Sequence, residues 1–413
     1  MIILMSRKSV KSIQNILNEA ETYLNNMLDE DLITISKSAY TQAREKVNYE
    51  AFIELCNDIK EQFYKEYDYE KYKGFRLLSV DGSMVILPNN EDTKKEFSTT
   101  SVKNQYKDKN KEIVQARVSL LYDVLNNIII DAVIADSKRH EIHITIDEHL
   151  KTIKENDLII FDRGYPSYRL FATINSKYKA HYLIRMKTSM YKKHTAILFD
   201  KDSDIEDITV TLKPTYKELK DICIEDKLPQ SIKVRFVKVV LDDGEIEVLA
   251  TSVLDENILK TEDFKELYFK RWGIEKYYEI MKNRLSLENF TGTSSLAIKQ
   301  DFYATMFISN MEALVTYELN EELKTNANKS NKYEQKVNKS VSFNTIKNYA
   351  FELLYFPDKD IDEILDKIYQ QLRTNKIAIR PNRRYDRPSI REGKNTKGIK
   401  SANYQKRKKK MIF

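Results

Sequence analysis

The chain has 413 residues, 41% of them hydrophobic and 32% charged, with a formal net charge of +6. That length suffices for two or three structural units with a sizeable core, and no apolar run approaches the roughly 20 residues that span a bilayer. Cys56 and Cys223 stand apart from any Cys/His cluster of zinc spacing, which excludes a disulfide framework and a structural zinc and points to a reducing cytoplasm.

Met1 to Met5 is too short for the apolar part of a secretory signal. Residues 7 to 73 read as helices, because Ile13, Ile16, Leu17, Ala20, Tyr23, Leu24 and Leu28 recur at helical spacing, as do Phe52, Cys56, Ile59 and Phe63. Between them, Ile35 to Arg44 forms a short polar helix capped by serine that can offer Lys37, Gln42 and Arg44 to DNA.

At Phe75 the pattern changes. Arg76 to Val80 reads as a strand ending at Asp81-Gly82-Ser83, followed by the apolar run Met84 to Leu87. Residues 114–124 and 128–135 are β-rich runs joined by a turn at Leu125-Asn126-Asn127, and His140 to Ile153 is amphipathic. Asp157 to Phe161 is an unbroken apolar run, as suits a strand buried on both faces, and it ends at Asp162-Arg163-Gly164. A helix over Pro166–Tyr178 and a strand over Ala180–Met186 follow. Residues 187–247 read as β segments joined by acidic turns, and Val248–Val253 as one more strand.

Thr261-Glu262-Asp263 caps a helix that carries Tyr268, Arg271, Glu275 and Lys282. At about 100° per residue these four fall within an arc of about 60°. Core burial requires no such set, and acid, base and phenol on one stripe suit a site that holds a metal and a phosphate together. Beyond it, Ser295–Leu319, Phe343–Tyr355 and Ile361–Leu372 look helical, and Asn320–Ser340 reads as loop. Residues 376–413 hold 14 Lys/Arg against Asp386 and Glu392, a net of +12, which suits an arm lying along a polyanion.

Two apolar strands thus end in Asp, at Asp81 and Asp162. If they are parallel neighbours, both carboxylates emerge at the rim where open α/β sheets bind ligands, and Glu275 can supply a third. Hard divalent cations take such oxygens, and two of them can serve both the attacking and the leaving oxygen in phosphoryl transfer. A haloacid-dehalogenase-like phosphatase is the rival suggested by Asp-Gly-Ser after a strand, but its nucleophilic Asp would fall at position 79, which is Ser.

Tyr268, Arg271, Glu275 and Lys282 match without a gap the Tyr-x2-Arg-x3-Glu-x6-Lys signature of DDE-class insertion-sequence transposases. Val80-Asp81-Gly82-Ser83 resembles the segment around that family's first catalytic Asp, and Asp162-Arg163-Gly164-Tyr165 the segment around its second. The similarity runs over roughly residues 35–320. It implies an α/β fold with an RNase H-like catalytic core, a mixed sheet flanked by helices, together with a β-rich insertion and helical N- and C-terminal regions. The corresponding boundaries are 1–74 for a helical region with DNA-binding potential, 75–186 and 248–330 for the core, 187–247 for the insertion, and 331–413 for the helical end with its basic tail.

The resemblance further implies Asp81, Asp162 and Glu275 as catalytic ligands of two Mg²⁺ ions (Mn²⁺ substituting), with Tyr268, Arg271, Lys282 and Arg163 contacting DNA. The partners would be double-stranded DNA, as terminal inverted repeats and target, and a second copy of the chain in a synaptic dimer. The setting would be the cytoplasm, at the nucleoid, with no membrane. Some members excise through a DNA hairpin with a base flipped onto a Trp in the insertion. This chain departs from that pattern, because its only Trp is Trp272. Residues 187–247 offer Tyr191, Phe199, Tyr216 and Phe236 as stacking platforms instead. The alternative reading is an inactive or domesticated DNA-binding protein of the same fold.

Overall fold

The computed structural model describes residues 13–28, 34–102, 111–325, 333–355 and 360–380. Helices α1 (Ile13–Leu28), α2 (Lys37–Glu45) and α3 (Glu50–Glu66) precede strand β1 (Arg76–Ile86), helix α4 (Glu91–Glu96) and strand β2 (Thr99–Val102). Strands β3 (Lys111–Asp123) and β4 (Ile128–Asp136) lead to α5 (Glu141–Asp147), β5 (Asp157–Phe161), α6 (Tyr168–Ala172) and β6 (His181–Arg185). Next come α7 (Lys192–Phe199), β7 (Asp207–Leu212), α8 (Lys217–Glu225), β8 (Ile232–Val240) and β9 (Ile246–Thr251). The chain continues through α9 (Asp263–Phe269), α10 (Trp272–Asn283), α11 (Ser295–Thr325), β10 (Gln335–Val337), α12 (Lys339–Tyr355), α13 (Ile361–Thr374) and β11 (Lys376–Ala378). The architecture is mixed α/β, a large mixed sheet flanked by helices, as the sequence leads one to expect.

Two compact units can be separated. One comprises Tyr67–Ser83 and Arg117–Tyr278, and the other the described parts of Met1–Glu66, Met84–Ala116 and Glu279–Phe413.

In the first unit the strands neighbour in the order β3, β1, β5, β6, β9, β8, β7, with β4 beside β3. β1, β5 and β6 are parallel, whereas β6, β9, β8 and β7 alternate in direction. All five residues of β5 are buried, as a central strand covered on both faces requires. The register of β1 against β5 is anchored by an ion pair between register partners. Arg76 donates through Nε and Nη2 to the two oxygens of Asp157 at 2.8 and 2.6 Å, and both side chains are buried. On one face Leu77, Leu158, Ile160, Leu183, Val237 and Leu249 pack with Phe264, Leu267 and Tyr268, which seats α9 on the sheet.

The second unit is mainly helical. β2 pairs antiparallel with the first part of β3, and β10 with β11. Leu319 and Leu323 of α11 pack with Ile364, Ile368 and Leu372 of α13, and Phe52 of α3 packs with Ala304. Arg44 is a correction to the sequence reading, which offered it to DNA. It is 5% exposed and bonded to Asp301 at 2.8 Å, Gln300 at 2.6 Å and Thr291 at 2.6 Å, whereas Lys37 and Gln42 on the same helix are exposed. A buried carboxylate at position 301 claims the guanidinium, a distant partner that local spacing does not reveal. Most of the basic tail, from residue 381 onward, lies outside the described residues.

Three local expectations change. β1 does not end at Asp81 but runs to Ile86. The pairing with β5 stops at Ser79, and Gly82 takes no left-handed conformation, so the Asp-Gly pair does not turn the chain. Residues 187–247 hold α7 and α8 as well as β7 and β8, and both strands extend the main sheet. The helix of the signature is also two helices. Lys270 and Arg271 lie between α9 and α10, where Arg271 N–H bonds to Tyr268 O at 3.1 Å and Ile274 N–H to Arg271 O at 3.2 Å. Both span three residues rather than four, a tightened turn that re-aims the axis. Among the described residues no helix is long and apolar enough to cross a membrane.

Candidate active site

The parallel register decides where the two aspartates lie. Ser79 stands opposite Ile160, so two residues further on Asp81 is level with Asp162. Each acid thus lies two residues beyond the last paired position, at the same end of the parallel pair. Asp162 follows the last residue of β5, and its Oδ1 accepts the Gly164 N–H at 2.7 Å, forming a tight turn. Asp81 Oδ1 accepts the Gly82 N–H at 2.9 Å.

Glu275 sits in the first turn of α10. Tyr278, one turn later, is 6% exposed and donates its hydroxyl to Asp81 O at 2.9 Å and Val118 O at 3.3 Å. The helix is thereby tied to the strand at the residue that bears the first acid. Gly273 permits the close approach, since a Cβ there would lie 3.3 Å from Val124.

The electrostatics follow from this crowding. Burial pushes the Asp81 carboxyl up to about 7, with the Gly82 N–H and Arg271 pulling it down and Glu275 and Asp162 pushing it further up. The unfolded carboxyl ionises near pH ~4, so between about pH 4 and 7 the folded chain holds the extra proton and stability falls as pH rises. Asp81→Asn should therefore melt above the wild type in cation-free buffer, by a margin that grows from about pH 5 to about pH 8. A margin that stays constant in differential scanning calorimetry would rule this burden out.

Arg271 lies 8% exposed between the Tyr268 and Trp272 rings, 5.7 and 5.3 Å from their centroids. Its Nη2 donates to Glu275 Oε1 at 2.7 Å, and its Nε is buried without a partner. Tyr268 is 7% exposed and belongs to the core cluster, with its hydroxyl raised to about 12 mainly by burial. Trp272 is 41% exposed. Arg163 is exposed beside Asp162. Lys282 closes α10 within the second unit and donates to Met84 O at 3.3 Å.

Carboxylate oxygens are the donors a hard cation takes, and a divalent charge would offset the burial that raises Asp81 and the smaller repulsion from Glu275 and Asp162. The residues thus fit Mg²⁺ or Mn²⁺ in kind. Among the described residues no three acid, His or Cys side chains close around one point, and Glu275 is held by Arg271.

A cavity of about 360 Å³ is lined among others by Arg117, His140, Glu141, His143, Gly164 and Tyr216. Of the stacking candidates, Tyr216 is 57% exposed and faces this cavity, whereas Phe236 is fully buried and packs near Tyr191.

The sequence reading missed a Ser/His/Asp arrangement. Ser119 Oγ lies 2.8 Å from His149 Nε2, and His149 Nδ1 lies 2.7 Å from Asp131 Oδ2. Ser119 and His149 are fully buried, so no substrate reaches the hydroxyl, and the trio serves to tie β3 and β4 to the turn at His149–Thr152.

No curated protein matches the chain. Among solved structures it is similar to piggyBac transposase in a synaptic complex with hairpin DNA, determined by cryo-EM. The identity is 11% and the TM-score 0.42, over 98% of this chain and 78% of that one. A family model described as the transposase DDE domain matches residues 72–311, a span that takes in Asp81, Asp162 and the whole signature. With more than half its length so matched, the chain belongs to the DDE-domain transposases.

Proposed function

We propose that this transposase is active, and that it cleaves DNA at the ends of its element and joins them to target DNA with Asp81, Asp162 and Glu275 as the acids of a divalent-cation centre. The observation that carries the reading is the parallel pairing of β1 with β5, which brings Asp81 and Asp162 to the same end of neighbouring strands, with α10 tied to Asp81 through Tyr278. A pair of Mg²⁺ ions, when bound, supplies charge stabilisation for the attacking and leaving oxygens.

The chain's own groups position and neutralise. Asp81 and Asp162 present oxygens from a rigid sheet. Glu275, now bonded to Arg271, would serve as the third acid that holds the cation, and the guanidinium would then be available to a phosphate oxygen beside the cleaved bond. Among the described residues the Nε of Arg271 has no partner, which leaves it as a second donor once the side chain moves. Arg163 and Lys282 add cationic contacts along the backbone, and Tyr268 stiffens Arg271 from beneath.

In the first step water forms a bond to phosphorus and the bond to the 3′ oxygen breaks, leaving a 3′-hydroxyl and a 5′-phosphate. In the second the 3′-hydroxyl attacks a target phosphodiester and releases a new 3′-hydroxyl, so the number of phosphodiester bonds is unchanged. Two element ends handled together call for a dimer, and a DNA substrate puts the protein at the nucleoid. Exposed Lys37 and Gln42 of α2, with the basic tail, are the proposed accessory DNA contacts.

The test is purified full-length protein with Mg²⁺ and duplex DNA carrying the inverted repeats that flank its gene. Nicks at the repeat ends and joined products are expected. Binding without nicking in either Mg²⁺ or Mn²⁺ would favour a DNA-binding relative that has lost the chemistry.

A further inference from the structure

A fourth carboxylate lies against the same strand. Glu141 opens α5, and a Cβ placed on Gly82 would come 2.5 Å from its Oε1. Glu141 thus brings its carboxylate against the backbone at Gly82, one residue after Asp81. The approach is directed by Arg117, whose Nη1 bonds Glu141 Oε1 while its Nη2 donates to Ser137 O at 3.2 Å.

Two buried phenols converge on the same space. Tyr278 feels the charges of Asp81 and Glu141, and Tyr165 those of Glu141, Asp81 and Asp162. Tyr165 is 1% exposed and its hydroxyl has no hydrogen-bond partner. A water bound in the gap between it and the acids would accept that hydroxyl's hydrogen bond. Arg117 Nε is likewise buried without a partner.

We infer that Glu141 is a fourth acidic residue of the cation centre, held over Gly82 by Arg117 and binding the divalent cation beside Asp81, directly or through a coordinated water that Tyr165 also contacts. The inference rests on the assignment of Asp81, Asp162 and Glu275 as metal residues. It adds a ligand from the helix after β4, which the DDE pattern itself does not contain.

The test is Mn²⁺ binding to the full-length protein by isothermal titration calorimetry, without DNA. Wild type should bind, Asp81→Asn should lose binding, and Glu141→Gln should bind about 10–100-fold more weakly. Its melting temperature in EDTA should stay at the wild-type value, which separates a ligand from a merely structural residue. Wild-type Mn²⁺ affinity in Glu141→Gln overturns the inference and leaves the Asp81 assignment standing. Failure of wild type to bind, or binding by Asp81→Asn equal to wild type, overturns both. Should Glu141→Gln fail to fold, Gly82→Ala takes its place, since the added methyl displaces the carboxylate without altering charge. Weakened Mn²⁺ affinity in Gly82→Ala supports the inference, and unchanged affinity overturns it.

Discussion

Asp81→Ala, Asp162→Ala and Glu275→Ala should each reduce strand cleavage by at least about a thousandfold, the several kcal/mol that a metal-held oxygen clamp contributes to the transition state. Affinity for the terminal DNA should change little, because binding draws on phosphate contacts spread over the surface. Gel-shift affinity and single-turnover nicking on one DNA separate the two quantities. A variant that nicks at the wild-type rate removes its residue from the centre. Glu275→Ala has a second expected signature, since it also releases Arg271, which is bonded to it at 2.7 Å. If the freed guanidinium reaches the phosphate, that variant should bind DNA at least as tightly as wild type while failing to cut it.

The next largest effect is on folding. Asp157→Ala leaves the Arg76 guanidinium buried at 5% exposure without its bidentate partner. Stranding one member of such a pair costs about 3–5 kcal/mol, to be read from urea unfolding. Replacing both residues with apolar ones of similar size, Arg76→Met with Asp157→Leu, should restore most of the loss. A single variant that loses under about 1 kcal/mol would mean that the pair is not the anchor of the parallel register.

What could be read in advance was local. The acids Asp81 and Asp162 stand beside short apolar runs, and Tyr268, Arg271, Glu275 and Lys282 share one spacing, so neighbours in sequence carried the reading. What escaped it depends on partners far along the chain. Glu141 is one acid in a polar stretch, and only folding brings it to Gly82, 59 residues earlier. Arg44 is claimed by Asp301, and Ser119 meets His149 through strand pairing. The break between α9 and α10 carries no Pro; Tyr268 on one side of it is seated in the sheet core and Tyr278 on the other is tied to β1.

The Arg76–Asp157 pair and the two acids mark off segments of equal length, five residues from Arg76 to Asp81 and five from Asp157 to Asp162. At about 3.3 Å per residue each is a ruler of roughly 17 Å, ion pair at one end and carboxylate at the other. Loss or gain of one residue in either would carry its acid to the opposite face and out of reach of the other. Loops elsewhere can lengthen at small entropic expense, but these two stretches cannot. Among functional descendants of this gene, insertions and deletions should accumulate around the two rulers and spare their interiors, leaving a record of the chemistry in the pattern of gaps.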